Sequence, residues 1–260
     1  MGGCRLAMVQ CRLRFAFGVA LAVAVAGACG PVRYGGMSVQ EAFPDQRVAR
    51  MVEAASRADL GAVDAEIKVG ADVNYVGTDG ISPLLWVMVE ARRRGDLTGL
   101  EHLLKVGADP NYRDEERKAS AMALAAGGDR PRILELLLKH KGDPNLIGPG
   151  GEPLLHIAAG EFRRANIDLL LRYGGDINIH TKIGNTTAAH VAARLGRFDL
   201  AAYLLEKGLS YNLQGLARAV EARHVPPDSE AQRWKNKVIE MLKERGVKFP
   251  AFVPPKPRSN

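Results

Sequence analysis

Apolar side chains recur along this chain as a helical stripe that restarts at intervals close to 33 residues. Counting back nine positions from Asp72, Asp109, Asp143, Asp176, Ser210 and Lys248 gives Val63, Leu100, Leu134, Ile167, Ala201 and Ile239. Six back, the residues are Glu66, Leu103, Leu137, Leu170, Leu204 and Leu242; five back, they are Ile67, Leu104, Leu138, Leu171, Leu205 and Lys243. Residues three or four apart share a helix face, so each stripe predicts an amphipathic helix ending just before a glycine. The polar exceptions, Glu66 and Lys243, fall in the first and last stripes, where one flank of a stack meets water. The four aspartates are spaced 37, 34 and 33 apart, in Gly70-Ala-Asp-Val-Asn74, Gly107-Ala-Asp-Pro-Asn111, Gly142-Asp-Pro-Asn145 and Gly174-Gly-Asp-Ile-Asn178. An acid that recurs once per unit between Gly and Asn is turn chemistry, not a catalytic carboxylate.

Upstream of each stripe lies a second helical pattern. It reads Ser82-Pro-Leu-Leu-Trp86, Ser120-Ala-Met-Ala-Leu-Ala-Ala126, Pro153-Leu-Leu-His-Ile-Ala-Ala159 and Thr187-Ala-Ala-His-Val-Ala-Ala193. Proline suits a helix start because its missing N–H has no partner there, and alanines let helices approach closely. The two patterns together, at this period, resemble the ankyrin repeat, with its Thr-Pro-Leu-His-x-Ala-Ala opening. The resemblance implies an all-α solenoid of about six helix-turn-helix units with β-turn fingers. Its units would be an N-terminal cap at 44–74, repeats at 78–112, 113–146, 149–179 and 182–212, and a C-terminal cap at 213–249. Extra residues from Glu90 to Gly95 would lengthen the second unit's first helix or its turn, and Val225-Pro-Pro-Asp-Ser229 would be a loop inserted in the last. Residues 29–43 are expected to form a flexible tether and 250–260 a Pro-rich tail. No helix pair covers both its faces, so stability should be close to a nearest-neighbour sum.

The first 28 residues read as a signal peptide. Arg5, Arg12 and Arg14 precede a 14-residue apolar run, Phe15 to Ala28, that ends in small residues before Cys29. As a helix the run spans roughly 21 Å, short of the roughly 30 Å hydrocarbon core, so a permanent transmembrane helix is the poorer reading. The ending Ala26-Gly-Ala-Cys29 resembles the lipobox of bacterial lipoproteins, with Ala26 where that family most often has leucine. That resemblance implies acylation of Cys29, each buried methylene adding about 0.8 kcal/mol to membrane anchoring. The alternative is ordinary cleavage near Ala28. Gly30 is not the aspartate that commonly keeps such lipoproteins at the inner membrane, which implies the periplasmic face of the outer membrane; a soluble periplasmic protein is the alternative.

Composition changes this picture little. With 47% hydrophobic and 25% charged residues, the bulk of the chain is globular in type. The net charge of +7 invites a nucleic-acid reading until the three leader arginines are removed, which leaves +4. Arg92-Arg93-Arg94 and Arg163-Arg164 are interleaved with acids and read as solvated helix faces, so no nucleic-acid partner is expected. Cys4, Cys11 and Cys29 all lie in the first 29 residues, which excludes disulfides and thiolate metal sites from the body and suits an oxidising compartment.

Candidate chemistry is sparse. His156 and His190 tempt a metal reading, but no acid or thiol cluster adjoins them, and both occupy the ankyrin helix-start histidine, which bonds backbone between units. Gly148-Pro-Gly-Gly151 lacks the lysine and preceding strand of a phosphate loop, and no nucleophile-and-base motif occurs. No enzyme activity, metal or cofactor is therefore expected. The resemblance implies instead that a monomer binds another protein on a concave surface. Mapping the family's variable positions gives Thr78, Asp79, Ile81, Val89 and Glu90 in the second unit, and Glu116, Arg117 and Ala119 in the third. Pro149, Gly150, Glu152 and Glu161 follow in the fourth, and Ile183, Thr186, Arg194 and Leu195 in the fifth. Trp86 is either a binding anchor or core between units. Two roles fit: an adaptor or scaffold tethered in the bacterial envelope, or an immunity protein that neutralises a toxin in the periplasm. The layout is similar to small ankyrin lipoproteins that inhibit secreted phospholipase effectors, a similarity of organisation only.

Overall fold

The computed structural model describes residues 36–114, 119–148 and 150–251. Its helices pair in sequence order. After a short α1 (Val39–Ala42) come α2 (Gln46–Ser56) with α3 (Leu60–Lys68), α4 (Pro83–Arg94) with α5 (Thr98–Lys105), and α6 (Ala121–Gly127) with α7 (Pro131–Lys139). Then follow α8 (Leu154–Gly160) with α9 (Arg164–Arg172), α10 (Ala188–Arg194) with α11 (Phe198–Glu206), and α12 (Leu213–Ala222) with α13 (Glu230–Glu244). The first helices of successive pairs form an inner layer, in which α6 packs on α8, α8 on α10 and α10 on α12. The second helices form an outer layer, with α7 against α9 and α11 against α13. One continuous core runs between the layers. The architecture is an all-α repeat solenoid.

The core is built from the stripe. Leu100, Leu103, Leu134, Leu137, Ile167, Leu170, Ala201 and Leu204 are all completely buried. Glu66, at the open N-terminal flank, is half-buried and held by Arg50 at 2.6 and 2.9 Å, while Lys243 at the other end is exposed. In the last unit the register slips by one: Val238 and Leu242 are fully buried and Ile239 only partly. The 15-residue α13 starts after the loop at 223–229 and is free to set its own phase.

Units are stitched by the turn asparagines. The Asn74 Nδ2 donates to the Gly107 carbonyl (3.0 Å) and its Oδ1 accepts from the Asp109 N–H (2.8 Å). Asn111 repeats this with Lys141 and Asp143, and Asn145 with Gly174 and Asp176. Asn178 Oδ1 accepts from Ser210 and Tyr211. The aspartates are turn residues: Asp72, Asp109, Asp143 and Asp176 each accept the N–H two positions on at 2.8 Å. Each unit thus satisfies backbone groups of the next, which makes stacking directional as well as apolar.

One feature departs from the sequence reading, and another decides between its alternatives. The tether expected over 29–43 ends before its last residues. Ser38 caps α1 in a reciprocal pair with Glu41, and Val39, Ala42 and Phe43 are buried in the core. The lengthening at Glu90–Gly95 falls on the helix: α4 runs 12 residues against seven in α6, α8 and α10, and ends at Gly95 in a left-handed cap.

Candidate partner-binding face

Between the outer helix of one unit and the inner helix of the next the chain makes a finger. In the second unit a 3₁₀ turn, Thr78–Gly80, is closed by Gly77 N–H to the Ile81 carbonyl (2.9 Å). In the third, β1 (Arg113–Asp114) pairs antiparallel with β2 (Ala119–Ser120). In the fourth, Gly148 N–H meets the Glu152 carbonyl (2.8 Å), and in the fifth Thr181 N–H meets the Thr186 carbonyl (3.0 Å). Neighbours brace one another: Thr78 Oγ1 donates to the Glu41 carbonyl at 2.8 Å, and an Arg113 guanidinium nitrogen to that of Ile147 at 2.5 Å. The last unit has no finger; Asn212, in the left-handed region, caps α12 directly.

The fourth residue of each inner helix from α4 to α10 is apolar: Trp86, Leu124, Ile157 and Val191. Leu124, Ile157 and Val191 are half-buried, whereas Trp86 is 1% exposed. Its ring meets Phe43 edge-on, with centroids 5.8 Å apart, and Phe43 in turn meets Tyr75. Trp86 is therefore core at the seam of the first two units and no partner anchor. Two other expected contacts are corrected on the same ground. Ile81 is 2% exposed, buried at the finger base. Glu90 is 1% exposed, its carboxylate held by Arg93 at 3.0 Å and Arg94 at 3.5 Å, one turn further along α4. Neither side chain is open to a partner.

The other candidates are accessible to differing degrees. Thr78, Asp79 and Arg194 are exposed; Val89, Glu152 and Glu161 are half-buried. Ile183, on the fifth finger, is 92% exposed, and Leu195, the C-cap of α10, is 45% exposed. Cys29, Glu116 and Arg117 lie outside the described residues. What the structure brings onto one side is the open part of the fourth and fifth units: Ile157 and Glu161 on α8 and its cap, then Val191, Arg194 and Leu195 along α10 and its cap.

The helix-start histidines are structural. His156 Nε2 lies 2.5 Å from the Thr186 carbonyl of the next unit and so donates to it. His190 Nδ1 accepts from the Thr187 N–H at 3.2 Å and lies 2.9 Å from its hydroxyl, which places the hydrogen on Nε2. Both rings are buried, and burial pushes both below the ordinary imidazole value, His190 to about 4. Among the described residues no group of three or more His, Cys, Asp or Glu is placed to hold a metal ion. The depressed histidine gives a pH prediction. The folded chain keeps His190 neutral, while the unfolded chain protonates it below about pH 6.5. Stability is thus complete above that value and lost as pH falls towards 4, by at most about 3 kcal/mol from His190. Urea unfolding at several pH values, comparing wild type with His190→Gln, reads this out. An equal slope in both proteins would remove the histidine from the account.

Two further features have no counterpart in the repeat pattern. Asn166 is completely buried on α9, and its Nδ2 donates to the carbonyls of Ala125 (3.2 Å), Ala126 (2.8 Å) and Gly128 (2.9 Å) at the end of α6. An open cleft of about 520 Å³ lies between the α4–α5 and α6–α7 turns, lined by Asp96, Thr98, Glu101, Arg130 and Arg132 among others.

The family model of ankyrin repeats, in three copies, matches residues 85–181. That stretch is ankyrin. It runs from the start of α4 to the fifth finger, through the pairs whose asparagine bridges and helix-start histidine are described above. Over the matched residues the repeats coincide with the helical pairs of the all-α solenoid, and ankyrin repeats typically serve as non-enzymatic protein-interaction modules. No curated protein matches the chain. Among the described residues no helix is long and apolar enough to cross a membrane.

Proposed function

We propose that this protein holds another protein on the inner face of its third to fifth units and does so tethered in the bacterial envelope. One observation carries the binding site: Leu124, Ile157 and Val191 sit at the same place on α6, α8 and α10, half open, beside the exposed Leu195 and Ile183. Apolar area collected on a rigid, curved surface gains free energy when a partner covers it. Its rigidity keeps the entropic cost of docking low. The tether rests on the leader and on Cys29, which would be acylated.

Full-length protein should retain a partner from detergent-solubilised envelopes, and Leu195→Asp with Ile183→Asp should release it without lowering the unfolding midpoint. Equal retention by the double variant would move the site off this face. Labelling with a palmitate analogue should mark wild type and not Cys29→Ala; equal labelling would end the anchor. Whether the protein acts as adaptor or inhibitor turns on the partner. The immunity role draws support from the envelope leader together with a small ankyrin body. It requires that co-expression rescue cells from a periplasmic toxin such as a secreted phospholipase, and that the same double variant abolish rescue.

A further inference from the structure

The inner face of the fifth and sixth units carries one sign of charge. Residues 179–195, the fifth finger with α10, contain Lys182 and Arg194 and no aspartate or glutamate. Residues 208–224, which run through α12, contain Arg218 and Arg223 and one acid, Glu221, whose carboxylate accepts the Ala251 N–H at 2.7 Å. All four cations are exposed. Several cations elsewhere are paired, among them Arg47 with Asp45, Arg50 with Glu66, Arg92 with Asp129, and Arg197 with Asp199. Among the described residues no carboxylate lies within salt-bridge distance of Lys182, Arg194, Arg218 or Arg223.

The three arginines also converge. Arg194 and Arg218, from adjacent inner helices, both stand near enough to His190 to oppose its protonation, and Arg194 acts likewise on His156. Arg223 reaches the turn after α10, its guanidinium 3.5 Å from where a side chain on Gly196 would begin. Around them lie apolar groups: half-buried Val191 on α10, Leu195 at its end, and Ile183 on the finger. Like charges without counter-ions repel, and a partner supplying carboxylates converts that repulsion into paired, bidentate contacts.

We infer that units five and six receive an acidic segment of the partner protein, its carboxylates against Arg194 and Arg218 and an apolar side chain against Leu195 and Ile183. This rests on the inner-face binding role above and specifies its chemistry. The segment approaches a positive field, so association is fast at low salt and weakens as salt rises.

A phage library of random dodecapeptides, panned on the folded full chain, tests this. Recovered peptides should be enriched in aspartate and glutamate over the starting library, should carry a large apolar residue, and should bind Arg194→Glu/Arg218→Glu at least about tenfold more weakly. Thermal unfolding of that variant should match wild type, since both side chains are exposed. Peptides without acidic enrichment that are lost on Leu195→Asp/Ile183→Asp but kept by the arginine variant would overturn the acidic partner and leave the inner-face role standing. Peptides indifferent to both pairs of changes, or none recovered at all, would bring down both. Sedimentation with phosphatidylglycerol vesicles supplies the last arm: arginine-dependent vesicle binding without acidic peptides would assign the patch to a lipid surface and overturn the inference.

Discussion

Leu170→Ala is expected to lower the unfolding free energy by roughly 2–5 kcal/mol, the range for a fully buried leucine truncated where its surroundings cannot collapse. Leu170 is completely buried on α9, a helix that packs on α7 and α8, and its carbonyl accepts the Gly175 N–H at 2.8 Å, which closes the turn. The loss therefore falls within the fourth unit and on its seam with the third. In a stack held by neighbours, weakening a central unit also uncouples the ends, so the urea transition should broaden or split. A change under about half a kilocalorie would show that the stripe does not face the core.

Gly99→Ala should be nearly as damaging, about 3 kcal/mol, although it adds a single methyl group. A Cβ on Gly99 would lie 1.8 Å from the Ala55 carbonyl oxygen and 2.7 Å from its carbon. Both are backbone atoms near the end of α2, so one helix must shift to admit the methyl. Gly61→Ala on α3 is the control of opposite sign. Its Cβ would meet nothing nearer than the Asp59 carboxylate at 3.9 Å, so alanine's better helix propensity should stabilise by up to about 1 kcal/mol. Equal effects from the two changes would remove the close approach of α5 to α2 from the account.

Gly99 on α5 and Asn166 on α9 occupy the same place in the outer helices of the second and fourth units, one residue before Leu100 and Ile167 of the stripe. Both answer one structural problem, the exposed carbonyls at the end of the preceding inner helix. Glycine answers it by letting the backbone come close, asparagine by donating to three carbonyls at once. No periodicity rule announces such a position, because the residue types share no hydropathy and the contact spans about 40 residues of sequence. The repeated part of the fold was legible for the converse reason. Stripe leucines and turn asparagines do the same task in unit after unit, so repetition reveals them. Ile81 and Glu90 were misplaced, and Trp86 left open between anchor and core, because their burial depends on non-repeating neighbours, namely the second finger, the extra turn of α4 and Phe43. The four-residue α1 has no period at all. Lys141 shows the limit from the other side. It takes φ 70° where the neighbouring units have Gly107 and Gly174, and nothing in its side chain signals that conformation.

The candidate face was legible only as a region. Family variable positions pointed to the fingers and inner helices, and the structure separates the open ones, Ile183, Arg194 and Leu195, from the buried ones. The absence of carboxylates near Lys182 and Arg194 stands in the sequence as a run from 179 to 195 without acids. Its meaning needed α10 and α12 to be placed side by side.

Site-specific photo-crosslinking in the native cell addresses the central claim most directly, with a photoreactive phenylalanine analogue placed in turn at positions 183, 195 and 207. Ile183 and Leu195 lie on the finger and inner-helix side, and exposed Lys207 ends the outer helix α11. The account predicts one protein adduct of the same mass from 183 and 195 and none from 207. An adduct from 207 alone would place the partner on the outer layer and contradict it.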